Sequence, residues 1–356
     1  MRGAQQTGSP PRLADVAQLA RVSSATASRV LTGSARVRPQ TRHKVEEAMA
    51  SLGYIRHRAP RGSVQPRPAG SIALVVCEQN GRVCSDPFFA RILWAIGKEL
   101  ATADLQPVLL ALHSAKTCQT GFRFLRSGHV DGAIVVGMHG RLPLDPQSLG
   151  IPVVLIGRPI HGGEEISYVD ADNLSGAQHA VAHLIGLGRS QVATIAGPRD
   201  MAPGVDRLLG YRKAMASAGM DDRGLVVFGD FSSVSGEHAL RWLLDRRRGI
   251  DAVFAASDLM AAGAIRALHR LGRRVPGDVA VAGFGDELLA QHTNPPLTTV
   301  RQPVDAMGAQ AARELLARIS KPGSDPTHLV LDTELVLRGS TPQRLGVLAA
   351  GPRQRR

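Results

Sequence analysis

The sequence predicts an α/β protein with an all-helical head and a larger core of two doubly wound lobes. Three observations predict it. Residues 13–58 carry apolar side chains at helical spacing in three short runs. Residues 57–70 then hold three prolines, two glycines and no acid. Beyond them, apolar strand-like runs alternate with amphipathic helices as far as about residue 300.

The head comes first. Leu13-Ala-Asp-Val-Ala-Gln-Leu-Ala20 reads as one helix, Ser24-Ala-Thr-Ala-Ser-Arg-Val-Leu31 as a second, and a third starts near Pro39 and runs toward Tyr54. Pro suits a first helical turn, whose N–H groups have no intrahelical partner. The small Ala17 and the apolar Val22 and Val30 let the first two helices cross closely. That crossing gives a helix-turn-helix, in which the second helix projects into the major groove of duplex DNA. Ser23 or Ser24 can cap the projecting helix.

Charge agrees. The chain has 356 residues, with 43 Lys and Arg against 30 Asp and Glu, a net of +13. Residues 1–69 hold 12 basic groups and only Asp15, Glu46 and Glu47 as acids, so 12 − 3 = +9 of that excess lies in the first fifth of the chain. A cationic module next to a nearly neutral one suits phosphate contacts.

The core follows. Strands are expected at 72–77, 107–112, 132–136, 152–156, 191–196, 225–228, 251–256 and 278–283. Helices are expected from Phe88 and over 173–187, 207–218, 235–246 and 258–271. Continuous apolar strands between helices mean parallel sheets covered on both faces, and the number of units suits two lobes. Ligands of such folds bind at the carboxyl ends of the strands, here between the lobes. The expected organisation is an unstructured tail at 1–11, the head at 12–58, a linker at 59–70 and a core at 71–342 with an unstructured tail at 343–356. Lobe 1 takes about 71–166 and 297–326, and lobe 2 about 167–296 and 327–342.

Several classes are disfavoured. No window has 18 uninterrupted apolar residues, and residues 1–11 have no apolar signal region, so a cytoplasmic, membrane-free protein is expected. Cys77, Cys84 and Cys118 have neither a disulfide framework nor zinc spacing. His179 and His183 lie four apart with Ala-Val-Ala and no Glu between them, which reads as a helix face. Phosphate-loop, dinucleotide-loop and nucleophile-elbow motifs are all missing, so no cofactor is expected and an enzyme has nothing specific in its favour.

Taken together, the short motifs resemble the lactose/galactose-repressor (LacI/GalR) family of regulators over nearly the whole chain. They are Leu13-Ala-Asp-Val-Ala17, Val22-Ser-Ser-Ala-Thr-Ala-Ser-Arg-Val-Leu31, Thr41-Arg42, Leu52-Gly-Tyr54, Asp86-Pro-Phe-Phe89, Val130-Asp-Gly132, Gly197-Pro198, Arg207-Leu-Leu-Gly-Tyr211, Ala256-Ser-Asp-Leu-Met-Ala-Ala-Gly263, Val279-Ala-Val-Ala-Gly-Phe284 and Pro295-Pro-Leu-Thr-Thr-Val300. The resemblance implies a homodimeric transcription factor, by default a repressor. Its core would be periplasmic-binding-protein-like and would take a small effector, with a sugar expected. The heads would bind a pseudo-palindromic double-stranded operator. A core that binds a partner protein, or no ligand, is the alternative reading.

Site residues follow from the resemblance. Ser24, Ala25 and Arg29 stand where the family reads base edges. Arg29 can bond guanine O6 and N7 together, the alternative being a salt bridge within the head. Ser23, Thr26 and Ser28, with Arg38, Thr41, Arg42 and Arg58, are candidates for capping and phosphate contact. In the core, Asp86, Phe88, Phe89, Arg158, Asp172, Arg207, Ser257, Asp258 and Asp286 are the effector candidates. Alternatives stand beside them: an apolar helix stripe for Phe89, a helix cap for Asp172 or Asp258, and an exposed helix position for Arg207. Some positions depart from the family pattern. Arg21 replaces the usual Gly of the tight turn, Arg12 replaces a Thr cap, and Pro60, Gly62 and Ser63 predict a weak or absent hinge helix. Gly285 stands where the family often has a ligand-binding Asp, with Asp286 beside it.

Overall fold

A computed structural model describes residues 13–31, 37–52, 70–78, 80–140 and 146–342. The expected tails, the linker with its degenerate hinge, Arg12 and Arg58 lie outside the described residues. The chain divides into two compact units, 1–67 and 68–356.

In the first unit, α1 (Leu13–Leu19), α2 (Ser24–Leu31) and α3 (Pro39–Leu52) close on a small core of Val16, Ala17, Ala20, Ala27, Val30, Val45 and Ala48. Four of these seven are alanines, so the helix axes approach closely. Arg21 takes the left-handed conformation at φ 53° in the α1–α2 turn. An L-residue other than Gly costs about 1 kcal/mol or more there. The Val22 N–H bonds Ala17 O at 2.9 Å and holds the turn in place.

The second unit begins with β1 (Ser71–Val76), α4 (Asn80–Ser85), α5 (Pro87–Ala101), β2 (Gln106–Ala111), α6 (Ala115–Leu125), β3 (Gly132–Val136), a 3-10 turn at Pro146–Leu149, β4 (Val153–Ile156) and β5 (Ser167–Ala171). The chain then crosses to the other lobe. There it forms α7 (Asn173–Gly186), β6 (Val192–Ala196), α8 (Ala202–Ser217), β7 (Val226–Phe228), α9 (Ser233–Arg246), β8 (Ala252–Ala255), α10 (Asp258–Arg270), β9 (Ala280–Gly285), α11 (Leu288–His292) and β10 (Thr298–Arg301). It returns to the first lobe as α12 (Val304–Ser320) and β11 (His328–Leu331), and crosses once more to end in β12 (Glu334–Val336).

The strand orders are β11-β5-β4-β3-β1-β2 and β12-β10-β9-β8-β6-β7. All the pairings are parallel except the antiparallel β10–β12 pair. Strands β3, β4, β6, β8 and β9 are buried along their whole length, as apolar strands covered by helices on both faces must be.

The lobe boundaries differ from the sequence expectation in one consistent way. Each crossing comes one strand later, after β5, β10 and β11 rather than before them. The reason is geometric. The cleft lies at the carboxyl ends of the strands, so the chain can change lobes only after it has run a strand to that end. The run Ser167-Tyr-Val-Asp-Ala171 gives no continuous apolar signal, although it forms β5.

Close helix contacts depend on glycine. A Cβ on Gly263 of α10 would stand 2.0 Å from Ser233 O, and one on Gly236 of α9 would stand 2.2 Å from Met260 O. Both partners are backbone and cannot swing aside. Gly263→Ala should therefore destabilise the core by about 1–3 kcal/mol, seen as a lower thermal unfolding midpoint.

Candidate functional site

The two sheets present their carboxyl ends to a common cleft of about 860 Å³, part of it continuous with solvent. That volume lies within the range of small-molecule sites. Its wall comes from strand ends and the loops after them: Val136–Met138 after β3, Ile156–Arg158 after β4, Asp170 in β5, Ser257–Leu259 after β8, Phe284, Gly285 and Glu287 around the end of β9, and Gln302 after β10. Helices add Arg82, Asp86, Phe88, Phe89, Ala202, Pro203, Arg207 and Met307, and loops add Met201 and Phe231. Four aromatic rings and a ring of charged groups thus face one space.

Arg207 is the central cation. It lies on α8 and is 5% exposed, so its expected alternative as an exposed helix residue does not hold. Nε donates to Asn173 Oδ1 at 2.9 Å and Nη1 to Ala256 O at 2.7 Å. The guanidinium lies 3.8 Å from the centroid of the Phe284 ring. Burial pulls its pKa down to about 9, against the pull of Asp170, Asp258, Asp86 and Asp206. It therefore stays charged at neutral pH, in a setting where each fixed hydrogen bond is worth more than in water.

Asp258 opens α10, and the cap itself is Ser257, which accepts from Met260 N at 3.1 Å. The Asp258 carboxylate accepts from the Thr299 hydroxyl and, at 2.8 Å, from Glu287 N–H. Burial lifts its pKa to about 6. The same cause, desolvation, raises the pKa values of Asp86 and Asp170, and raises that of Glu287 to about 7. Asp86 caps α5 by accepting from Phe88 N at 3.1 Å. Phe89 is 2% exposed and belongs both to the apolar stripe of α5 and to the cleft wall. Phe88 meets it edge to face, with centroids 5.4 Å apart.

Two of the expected effector residues lie outside the cleft. Asp172 is the N-cap of α7, accepting from Ser175 N at 3.0 Å. Asp170, two residues earlier and within β5, lines the cleft instead. Asp286 has a 5% exposed side chain bonded to Arg301 and Arg338 on the far side of β9. Both lie one residue beyond a strand end, where a helix cap takes the Asp172 carboxylate and two arginines take that of Asp286. Sequence reading also missed Arg82, Met138, Met201, Phe231, Phe284, Glu287 and Gln302. Of these only Glu287 carried a signal, as a carboxylate two residues beyond the Gly285 that lacks one.

Several contacts tie the lobes across the cleft. Arg158 makes a bidentate pair with Asp206 of α8. His139 bonds Glu78 and Asp200 at 3.0 Å each, and these carboxylates raise its pKa against the opposing effect of burial. Arg82 lies 5.0 Å from the centroid of Phe231, and Arg91 stands 3.6 Å from Glu287.

In the head, Ser23 is the N-cap of α2, its Oγ accepting from Thr26 N at 3.1 Å. Thr26 Oγ1 lies 2.8 Å from the same oxygen. Ser24, Ala25 and Arg29 are exposed on α2, Ser28 is half-buried beside them, and Ala27 and Val30 face inward. Arg38 is exposed ahead of α3 and its carbonyl accepts from Thr41 and Arg42 N–H; those two side chains are half-buried.

Comparison with known proteins places this geometry. A model of bacterial regulatory proteins of the lacI family matches residues 12–57, and one of a periplasmic binding protein-like domain matches 181–341. The transcriptional regulator CelR of Thermobifida fusca is 46% identical over 335 residues, covering 93% of this chain and 98% of its own.

The chain belongs to the lacI family.

It is a DNA-binding transcriptional regulator and not an enzyme. The repressor CytR of Escherichia coli K12 is 33% identical over 92% of this chain and 95% of its own. Among solved structures, a CelR–cellobiose complex is 43% identical with a TM-score of 0.73, over 93% of this chain and 99% of that one. The lac repressor dimer bound to operator and the anti-inducer ONPF is 27% identical with a TM-score of 0.66, over 94% and 99%. No helix among the described residues is long and apolar enough to cross a membrane.

Two predictions follow for this lacI-family regulator. Arg29→Ala should relax the preference at one base pair of the half-site and cost about 1–3 kcal/mol of specific affinity, read by competition binding against a panel of single-base operator variants. The second concerns pH. Glu287 ionises less readily in the folded chain than in the unfolded one, so the folded state binds the extra proton and its stability falls as pH rises toward 7. E287Q should match the wild-type melting temperature near pH 4 and exceed it by pH 8.

Proposed function

We propose that this regulator works in the cytoplasm as a homodimer on a pseudo-palindromic operator, as a repressor whose hold on DNA changes when a saccharide fills the interlobe cleft. The observation that carries the reading is the composition of the cleft: four aromatic rings beside fixed guanidiniums and carboxylates. Rings take the apolar faces of a pyranose, and charged groups held in place bond its hydroxyls and discriminate between epimers. The likeness to a cellobiose complex over nearly the whole chain makes cellobiose the first ligand to test.

The α2 face then reads the operator. Ser24, Ala25 and Arg29 approach base edges; Ser23, Thr26, Ser28, Arg38, Thr41 and Arg42 serve the cap and the phosphates, and Arg58 would add a further basic group. The Arg158–Asp206 and His139–Asp200 pairs hold the two lobes together. A ligand that favours the closed cleft over the open one biases the spacing of the two heads by its difference in affinity for the two states. Coupling of about 1–3 kcal/mol suffices for regulation of roughly 5- to 150-fold.

Titration calorimetry with cellobiose and its epimeric disaccharides tests the ligand. Heat with one disaccharide and none with its epimers is expected, together with a shift in operator affinity when that disaccharide is added. Equal silence toward every saccharide would sink the reading.

A further inference from the structure

Among the described residues, two buried side-chain polar atoms have no hydrogen-bond partner: Glu287 Oε2 and Arg82 Nε. Both residues line the cleft. Glu287 is 6% exposed. Its Oε2 is ion-paired with Arg91 Nη1 at 3.6 Å, which is too long for a hydrogen bond. Its backbone is fixed by the bond from its N–H to Asp258 Oδ2. A buried carboxylate oxygen with an ion-pair partner but no hydrogen bond keeps part of its desolvation cost, which a donor at normal distance would offset. Arg82 is complementary. Its Nη1 is engaged by Glu78 Oε2 at 2.6 Å, which leaves Nε as a donor lacking an acceptor.

One orphan needs a donor and the other needs an acceptor. A hydroxyl group can serve either. Above about pH 7, where Glu287 is ionised, a carboxylate or phosphate on the ligand would serve Arg82 and repel Glu287, and an ammonium would do the reverse. The backbone around Gly285 points the same way. A Cβ there would meet Asp258 Oδ2 at 3.3 Å and Glu287 Cγ at 3.5 Å, so the carboxylates of Asp258 and Glu287 border the place where a side chain at 285 would start.

We infer that Glu287 is the specificity-determining carboxylate of the cleft, accepting a hydrogen bond from a hydroxyl of an uncharged saccharide while Arg82 Nε donates to a ligand oxygen. The inference rests on the saccharide reading above and adds the charge class of the ligand and the residue that selects it.

The test is titration calorimetry at pH 8 on the full chain with cellobiose and with cellobionate, its anionic aldonic acid. The wild type should bind cellobiose and reject cellobionate. E287Q should weaken cellobiose binding by about ten- to a hundredfold and narrow the gap between the two ligands. E287Q affinity within twofold of wild type overturns the inference alone and leaves the saccharide reading standing. Silence of the wild type toward all saccharides overturns both. If E287Q does not fold, singly deoxygenated cellobioses carry the test on the wild type: one of them should lose the same factor, and a flat series overturns the inference.

Discussion

The core is organised around one buried cation. Arg207 sits where both sheets end, held by Asn173 from the start of α7 and by the carbonyl of Ala256 at the end of β8. A guanidinium with no water is tolerable only if its donors are met and opposite charge stands close. The fold supplies both, the charge coming from Asp170, Asp258, Asp86 and Asp206. Each of these acids has its own constraint: Asp170 is bonded by Arg158 and Ala171 N–H, Asp258 by Thr299 and Glu287 N–H, and Asp206 by Arg158. A perturbation at Arg207 therefore reaches the elements of both lobes through short bonded paths.

Among the described residues, three ion pairs span the cleft with the base from the lobe of β1 to β5 and the acid from the other: Arg91–Glu287, His139–Asp200 and Arg158–Asp206. Arg207 reverses that sign, a cation of the second lobe drawn to Asp170 and Asp86 of the first. Several partly exposed pairs acting together hold the lobes where one such pair would not. The pairs make closure sensitive to ionic strength even where the ligand carries no charge.

Much of this was legible in the sequence. The helix spacing and basic charge of the head, the alternation of apolar strands and helices, and the contributions of Asp86, Phe88, Phe89, Arg158, Arg207, Ser257 and Asp258 to the cleft wall could all be read from short motifs. Asp172 and Asp286 could not be placed, because each lies just past a strand end and its direction is set by partners distant from that strand's own pattern: the cap of α7 for Asp172, and Arg301 and Arg338 for Asp286. The lobe crossings were missed because β5 carries Ser167 and Asp170, and β11 offers only the three apolar residues Leu329, Val330 and Leu331, a run too short to read as a strand.

The sequence by itself determined what is local: helix periods, caps, glycines at close contacts and the sign of charge in the head. These depend on neighbours within a turn or two. Tertiary structure alone decided which carboxylates surround Arg207, which side chains reach across the cleft, and that Glu287 and Arg82 keep an unmet polar atom. Those properties depend on residues far apart in the chain arriving at one place and shedding their water. Burial is a property of that meeting and of no single segment.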